Sequence, residues 1–348
     1  MVMGAPVNKL PYLSFCSDRR FGIELEINAY DGKNRPDQGQ KVAGIDDVAM
    51  VVAASSTEAV EIREWEHTHN NEVWVLKPDS SCGMEVCTPI YKGWPGLRKV
   101  VQVVEAFNKY PKVKVDNRCS VHVHVEVADL TTEQIGSIIA HWFKVEPVFM
   151  DSVPPHRKRN RYCQYMGFNN LVQTETKLNA ADLMKKVGNV KYYSLNTNQM
   201  MKNGRKTVEF RIVEGDGCKD PFLIKNWTRL LLQFIEMAAR RPLPPEYEEG
   251  NPWSSLCWLE PSDTFKLLGF DPSEYELSPG LQQTRNWFLA RLQKNMSPDI
   301  GEGFRQYAYE NLQKMLADYK EMGVVICPEK HLSPTDLKEA LYKEELRV

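Results

Sequence analysis

Four short stretches of the chain, FGIELEI, GMEVC, VHVHVEV and TVEFRI, alternate apolar and ionisable residues with period two. Strand side chains point to opposite faces in turn, so Ile23, Leu25 and Ile27 can pack into a core while Glu24 and Glu26 point the other way. The same division separates Val121, Val123 and Val125 from His122 and His124, and Val208, Phe210 and Ile212 from Glu209 and Arg211. An ordinary solvent-facing strand shows Thr, Lys, Ser and Gln at its polar positions. Here those positions hold carboxylates, imidazoles and a guanidinium. The pattern calls for a sheet with one covered face, which favours an antiparallel α+β architecture over a doubly wound parallel sheet buried on both faces.

The rest of the chain supplies the cover. A strand is read over 19–28, followed by a polar, turn-rich excursion over 30–47 and a short helix near 47–54. Stretches 72–77 and 83–87 form a hairpin across PDSSC. Apolar residues recur at helical spacing over 96–109, over 131–150 with a capping box of Thr131 and Gln134, and over about 220–240. These helices are expected on the apolar back of a curved sheet, leaving its other face as an open cleft. After Pro242 the character changes. Proline, the EYEEGNPW turn and periodic stretches at about 261–269, 280–295, 302–322 and 334–345, the last started by Ser333–Pro334, predict a mostly helical C-terminal region. The expected division is a catalytic domain over 1–245 and a helical region over 246–348 packed on it.

The chain has 348 residues and a formal net charge of −2, which argues against nucleic acid as a partner. No apolar run approaches bilayer length. The first fifteen residues lack a basic start and apolar block, so a cytoplasmic location is expected. The eight cysteines are scattered without a CxxC pair, which points to reduced thiols rather than a zinc ribbon or a disulfide framework.

Glu24 and Glu26 would emerge on one face about 7 Å apart, close enough for two hard cations to take one carboxylate each. A solvated edge strand would also tolerate them. Two histidines between valines on one strand face are costly for packing alone, so His122 and His124 are candidates for a metal ligand or a phosphate contact. A cupin also uses His-x-His, but the residues after His124 do not follow its pattern. Glu209 and Arg211 can pair with each other, yet the loop before them is basic: Lys185, Lys186, Lys191, Lys202, Arg205 and Lys206 lie between Met184 and Thr207 with no acid. Such a loop suits a polyphosphate. A second basic cluster, His156, Arg157, Lys158, Arg159 and Arg161, is placed to grip an anionic group, and the DSSCGME hairpin adds Asp79 and Glu85. A mostly carboxylate set with one or two histidines suits Mg²⁺ or Mn²⁺ better than Zn²⁺. Neither GxxxxGK[ST] nor GxGxxG occurs, which disfavours a P-loop or Rossmann origin.

The order of motifs is G-I-E-L-E-I, then W-x-L-K-x-D-S-S-x-G-x-E-V, C-S-V-H-V-H-V, Y-Y-S-L-N and T-V-E-F-R. Over roughly residues 19–215 it resembles the amidoligase family, a branch of the carboxylate-amine ligases that share the fold of glutamine synthetase and glutamate cysteine ligase. The resemblance implies a glutamine synthetase-like catalytic fold, two or more Mg²⁺ or Mn²⁺ ions, and ATP as co-substrate. It implies Glu24, Glu26, Glu85, His122 and Glu209 as metal ligands, with His124 and Arg211 on nucleotide phosphate. The basic loop departs from the family pattern and adds Lys202, Arg205 and Lys206 as candidate phosphate contacts from charge alone. Tyr193 and Asn196 would meet substrate, joined by Arg161 of the second basic cluster; Arg211 would act in phosphoryl transfer, and Asp79 would hold or deprotonate the attacking amine. The implied reaction forms an amide or isopeptide bond through an acyl phosphate and releases ADP and phosphate. Its partners are ATP, a carboxylate and an amine, the latter two drawn from amino acids, peptides or a protein tail. Two alternatives remain at this stage: a kinase of the same fold that stops at phosphoryl transfer, and a His-x-His metal hydrolase or oxygenase.

Overall fold

The computed structural model describes residues 10–15, 18–28, 44–63, 72–166, 179–187, 191–201, 206–245, 258–296 and 303–326. Most of the excursion over 30–47, the EYEEGNPW turn, Lys202, Arg205 and the helix expected over 334–345 lie outside the described residues.

The central strand is β2 (Arg20–Ile27), the first of the alternating stretches. It pairs antiparallel with β5 (Gly83–Cys87) and β6 (Tyr91–Lys92), and along its other edge with β7 (Ser120–Glu126). Beyond β5 lies β4 (Trp74–Asp79), antiparallel, and then β3 (Val60–Ile62), parallel to β4. Beyond β7 lie β9 (Thr207–Glu214) and β8 (Leu195–Asn196), both antiparallel. Among the described residues the order is therefore β3-β4-β5-β2-β7-β9-β8, with β6 on the far end of β2. This is a mixed α+β molecule built on a mainly antiparallel sheet.

The alternation decides which face is covered. Ile23, Leu25, Ile27, Val121, Val123, Val125, Val208, Phe210 and Ile212 are all buried. They share a continuous core with α1 (Ile45–Ser56), α2 (Gly93–Lys109), α3 (Thr132–Asp151) and α7 (Pro221–Ala239). Helix α2 begins at Gly93, three residues before the periodic pattern, because Pro95 falls in the first turn, where a missing N–H costs nothing. The Thr131 capping box is formed: Gln134 N donates to Thr131 Oγ1 at 3.3 Å and Thr131 N to Gln134 Oε1 at 3.0 Å. Trp142 of α3 lies 4.9 Å from Phe210 of β9 and 5.4 Å from Phe234 of α7, ring centre to ring centre, so one aromatic cluster joins the sheet to two helices. Helix α3 also meets α5 (Ala180–Val187) at Gly136, where a Cβ would stand 2.3 Å from that of Ala180, and the one-turn α6 (Asn198–Met201) precedes β9.

Among the described residues the C-terminal part is helical apart from one short strand. Helices α8 (Pro261–Leu267), α9 (Pro279–Asn295) and α10 (Gly303–Glu321) follow the sequence pattern. The two-residue strand β10 (Glu276–Leu277) pairs in parallel with β1 (Tyr12–Leu13) near the start of the chain. Helix α9 packs on α7 and α3, and Phe288 stands 5.2 Å from Phe149. At the end of β9, buried Glu214 pairs with buried Arg291 of α9 at 2.7 Å. No helix among the described residues is long and apolar enough to cross a membrane.

Candidate active site

Strand register assembles the uncovered face. Across β5, β2 and β7, Glu26 stands opposite Glu85, Glu24 stands between Cys87 and His122, and Gly22 faces His124. On the next strands His124 is opposite Glu209, and Glu209 opposite Asn196. On the other flank Lys77 is opposite Glu85.

His122 is enclosed by acids. Its Nδ1 lies 3.1 Å from Glu24 Oε2 and 3.5 Å from Glu209 Oε1, and its Nε2 lies 2.8 Å from Ser120 Oγ and 3.7 Å from Glu26 Oε1. Ser120 Oγ also donates to Glu26 Oε2. Glu209 is held by Asn196 Nδ2, which donates to Oε2 at 2.6 Å, and by Arg211 Nη1, which pairs with Oε1. Arg211 Nε donates to the Tyr162 carbonyl at 3.1 Å.

His124 is placed differently. Its buried Nε2 sits 3.1 Å from Glu24 Oε1 without the alignment of a hydrogen bond, and it finds no such partner among the described residues. Ligand atoms of Glu24, His124 and Glu209 all lie within 4.8 Å of one another. A cation taking the place of the imidazole proton among these carboxylates would meet one nitrogen and two carboxylate donors, a set that fits Mg²⁺ or Mn²⁺. Two further groups meet the same distance criterion, Glu26 with Asp79 and Cys82, and Glu24 with Glu85 and Cys87.

The electrostatics follow from burial among like and unlike charges. Burial would raise Glu24, but the charges of His124 and His122 and the hydrogen bond with His122 hold it well below the usual carboxylate range. Burial would lower His124, yet Glu24 and Glu209 bring it up to about 9. For Glu85, burial and the Glu24 carboxylate act together and push it up to about 8, with Lys77 offsetting only part. Burial pushes the Cys82 and Cys87 thiols well above their usual range.

Other expected site residues lie elsewhere or are already engaged. Tyr193 is 2 % exposed and packed in the hydrophobic core. Asp79 Oδ1 accepts from Ser81 N at 2.6 Å and Cys82 N at 3.3 Å, as well as from the Ser81 hydroxyl, so that oxygen caps the β4–β5 turn. Lys206 is exposed at the start of β9, where its carbonyl accepts from Val127 N at 2.8 Å. Arg161 is exposed, donating to the Tyr162 hydroxyl at 2.7 Å and stacking on its ring. The basic cluster is smaller than its sequence implies. Lys158, in α4 (Pro155–Lys158), binds Asp151 at 2.9 Å, and Arg157 is 1 % exposed, so neither is available to grip an anion.

Arg157 has a structural task that composition could not reveal. Between Val121 and Val123 the β7–β9 register shifts, so that two steps along β7 span three along β9. A bulge of this kind turns side chains and leaves ladder groups unpaired. Arg157 Nη2 donates to the Arg211 carbonyl at 2.6 Å and its Nε to the Ile212 carbonyl at 3.1 Å. It therefore braces the backbone that carries Arg211. Lys77 was likewise overlooked, although its position in WVLKPD, out of phase with Trp74 and Leu76, is the signal that places it on the polar face.

A family model described as "Putative amidoligase enzyme" matches residues 17–235, well over half of the chain. The chain belongs to the amidoligase family. The matched span of this amidoligase runs from the edge of β2 into α7 and so takes in the entire polar face. Membership brings the general class of a ligase-type enzyme. No curated protein matches the sequence. Among solved structures, the chain is similar to a bifunctional glutathione synthetase from Pasteurella multocida, at 11 % identity and a TM-score of 0.35, over 94 % of this chain and 51 % of that one. The chain thus spans about half the length of that protein.

Proposed function

We propose that this amidoligase is an ATP-dependent carboxylate-amine ligase of the glutamine synthetase-like type, working on the polar face of its sheet in the presence of Mg²⁺ or Mn²⁺. The observation that carries the reading is the convergence of Glu24, His124 and Glu209 beside an Arg211 already paired to Glu209. Glu24, His124 and Glu209 would hold one divalent ion, and Glu26 with Asp79 a second. Bound there, the ions supply positive charge to phosphate oxygens during transfer. His122, with both ring nitrogens among Ser120 and three carboxylates, acts as the brace that keeps the acids in register, while Asn196 orients Glu209. Arg211 faces the transferring phosphoryl group.

A free carboxylate at neutral pH is a poor acyl donor. A carboxylate oxygen of the substrate attacks the γ-phosphorus of ATP, the bond to the bridging oxygen breaks, and ADP leaves. The amine nitrogen then attacks the acyl carbon, inorganic phosphate departs and the amine loses a proton, giving the amide. The basic residues before β9 in the sequence, with exposed Arg161, would supply charge for anionic groups on the substrates.

The test measures ADP release and hydroxamate formation with hydroxylamine across a panel of amino acids and peptides, with Mg²⁺ or Mn²⁺. Glu24→Ala and Glu209→Ala should abolish both. Metal-dependent turnover surviving in both variants would overturn the site. A stable phosphorylated product with no need for an amine would identify a kinase instead, and turnover without ATP would point to a metal hydrolase or oxygenase.

A further inference from the structure

We propose that Lys77 occupies the Glu24–Glu85–Cys87 corner of the cleft as a built-in cation, in the place a divalent ion would otherwise take, so that Glu85 is a partner of Lys77 and not a metal ligand. This rests on the reading of the polar face as a divalent-metal cleft.

Lys77 stands opposite Glu85 in the β4–β5 register, and Glu85 stands opposite Glu26 on β2, so one row across three strands reads Lys, Glu, Glu. The Lys77 ammonium is 3.2 Å from Glu85 Oε1, and both side chains are 11 % exposed. Glu85 shares this corner with Glu24 and Cys87, whose ligand atoms lie within 4.8 Å of one another. A divalent ion at this corner would stand beside a fixed positive charge, since Lys77, held on β4 between β3 and β5, brings its ammonium against Glu85.

The other two corners differ. At the Glu24, His124 and Glu209 corner Arg211 pairs with Glu209 and the Tyr162 carbonyl, but an imidazole nitrogen stands among the carboxylates, a metal donor that the Lys77 corner lacks. The corner of Glu26, Asp79 and Cys82 has no lysine or arginine in ion-pair contact with its carboxylates among the described residues. The divalent ions should therefore sit at these two corners, with the Lys77 ammonium completing the positive charge around the bound phosphates.

Lys77→Leu removes the charge without adding a donor atom. Mn²⁺ bound per chain would be counted by electron paramagnetic resonance titration on the full-length protein, alongside parent and Lys77→Arg, with circular dichroism to verify folding. The expected result is one more Mn²⁺ per chain in Lys77→Leu than in the parent, a larger Mn²⁺-induced rise in melting temperature, and the parental count in Lys77→Arg. No gain of an ion overturns the proposal. Should Lys77→Leu not fold, Glu85→Gln decides: an unchanged count supports the proposal, and loss of one ion overturns it. The parent count tests the underlying reading separately, since a parent that binds no Mn²⁺ defeats the metal cleft even where Lys77→Leu gains an ion.

Discussion

Replacing Arg157 by Met tests whether the bulge on β9 is braced from below. Met reproduces the unbranched apolar stem as far as the Nε position and fits a buried site, so the main loss is the guanidinium. Two charge-assisted hydrogen bonds disappear, at 2.6 Å to the Arg211 carbonyl and 3.1 Å to the Ile212 carbonyl, from a residue that is 1 % exposed. Hydrogen bonds to charged groups contribute about 1.5–3 kcal/mol each, and a buried acceptor left unpaired costs a comparable amount. Allowing for local relaxation, Arg157→Met should destabilise the chain by about 3–5 kcal/mol. Urea denaturation followed by tryptophan fluorescence would measure this, with Arg157→Lys recovering part of the loss. Because the braced carbonyl belongs to Arg211, Mn²⁺ affinity of the folded variant should also fall as Glu209 loses its fixed partner. A variant within about 1 kcal/mol of the parent would refute the brace, and full stability loss with unchanged Mn²⁺ affinity would refute its link to the site.

Three further outcomes are expected. Arg291→Met strands the buried Glu214 carboxylate and should cost about 3–5 kcal/mol in the same denaturation assay, with a smaller loss when Glu214→Gln is added. Gly136→Ala forces a Cβ to within 2.3 Å of that of Ala180 and should destabilise by about 1–3 kcal/mol, measurable as a lower urea midpoint. For the metal-free chain, Glu85 at about 8 keeps a proton in the folded state that the unfolded carboxyl, with its ordinary 4.5, has lost. The stabilisation from His124 is complete below its ordinary 6.5 and disappears as pH rises through about 9. Both effects have one sign, so melting temperature in chelator should fall between pH 6.5 and 9, and His124→Gln should flatten the upper part of that slope. A melting temperature that rises over this interval would contradict the assignment.

The polar face was legible in the sequence because period-two alternation is a property of single strands. Glu24, Glu26, His122, His124, Glu209 and Arg211 can each be placed on the face without knowing any pairing. What each one touches depends on register, which no single stretch contains. It is the β7–β9 register that sets His124 against Glu209, and the bulge between Val121 and Val123 becomes visible only when two strands are laid side by side. Charge runs misled for the opposite reason. The segment around 156–161 reads as a basic surface, but Arg157 lies under the sheet and Lys158 pairs with Asp151. Helices were easier, since the capping box at Thr131 and the apolar spacing of α7 are local. The two-residue pair of β1 with β10 is too short to leave a pattern.

The Glu214–Arg291 pair has a consequence for the order of events during synthesis. β9 carries Glu209 and Arg211 into the cleft and ends in a carboxylate whose buried cation lies 77 residues further along the chain. Segments made first generally begin to fold first, yet on this strand the last turn of ladder meets an unneutralised acid until α9 has been made. A ribosome-bound chain stopped before α9 should therefore hold the β2–β5–β7 part of the cleft ahead of the β9 part, and competence to bind metal would arrive only with the C-terminal helices.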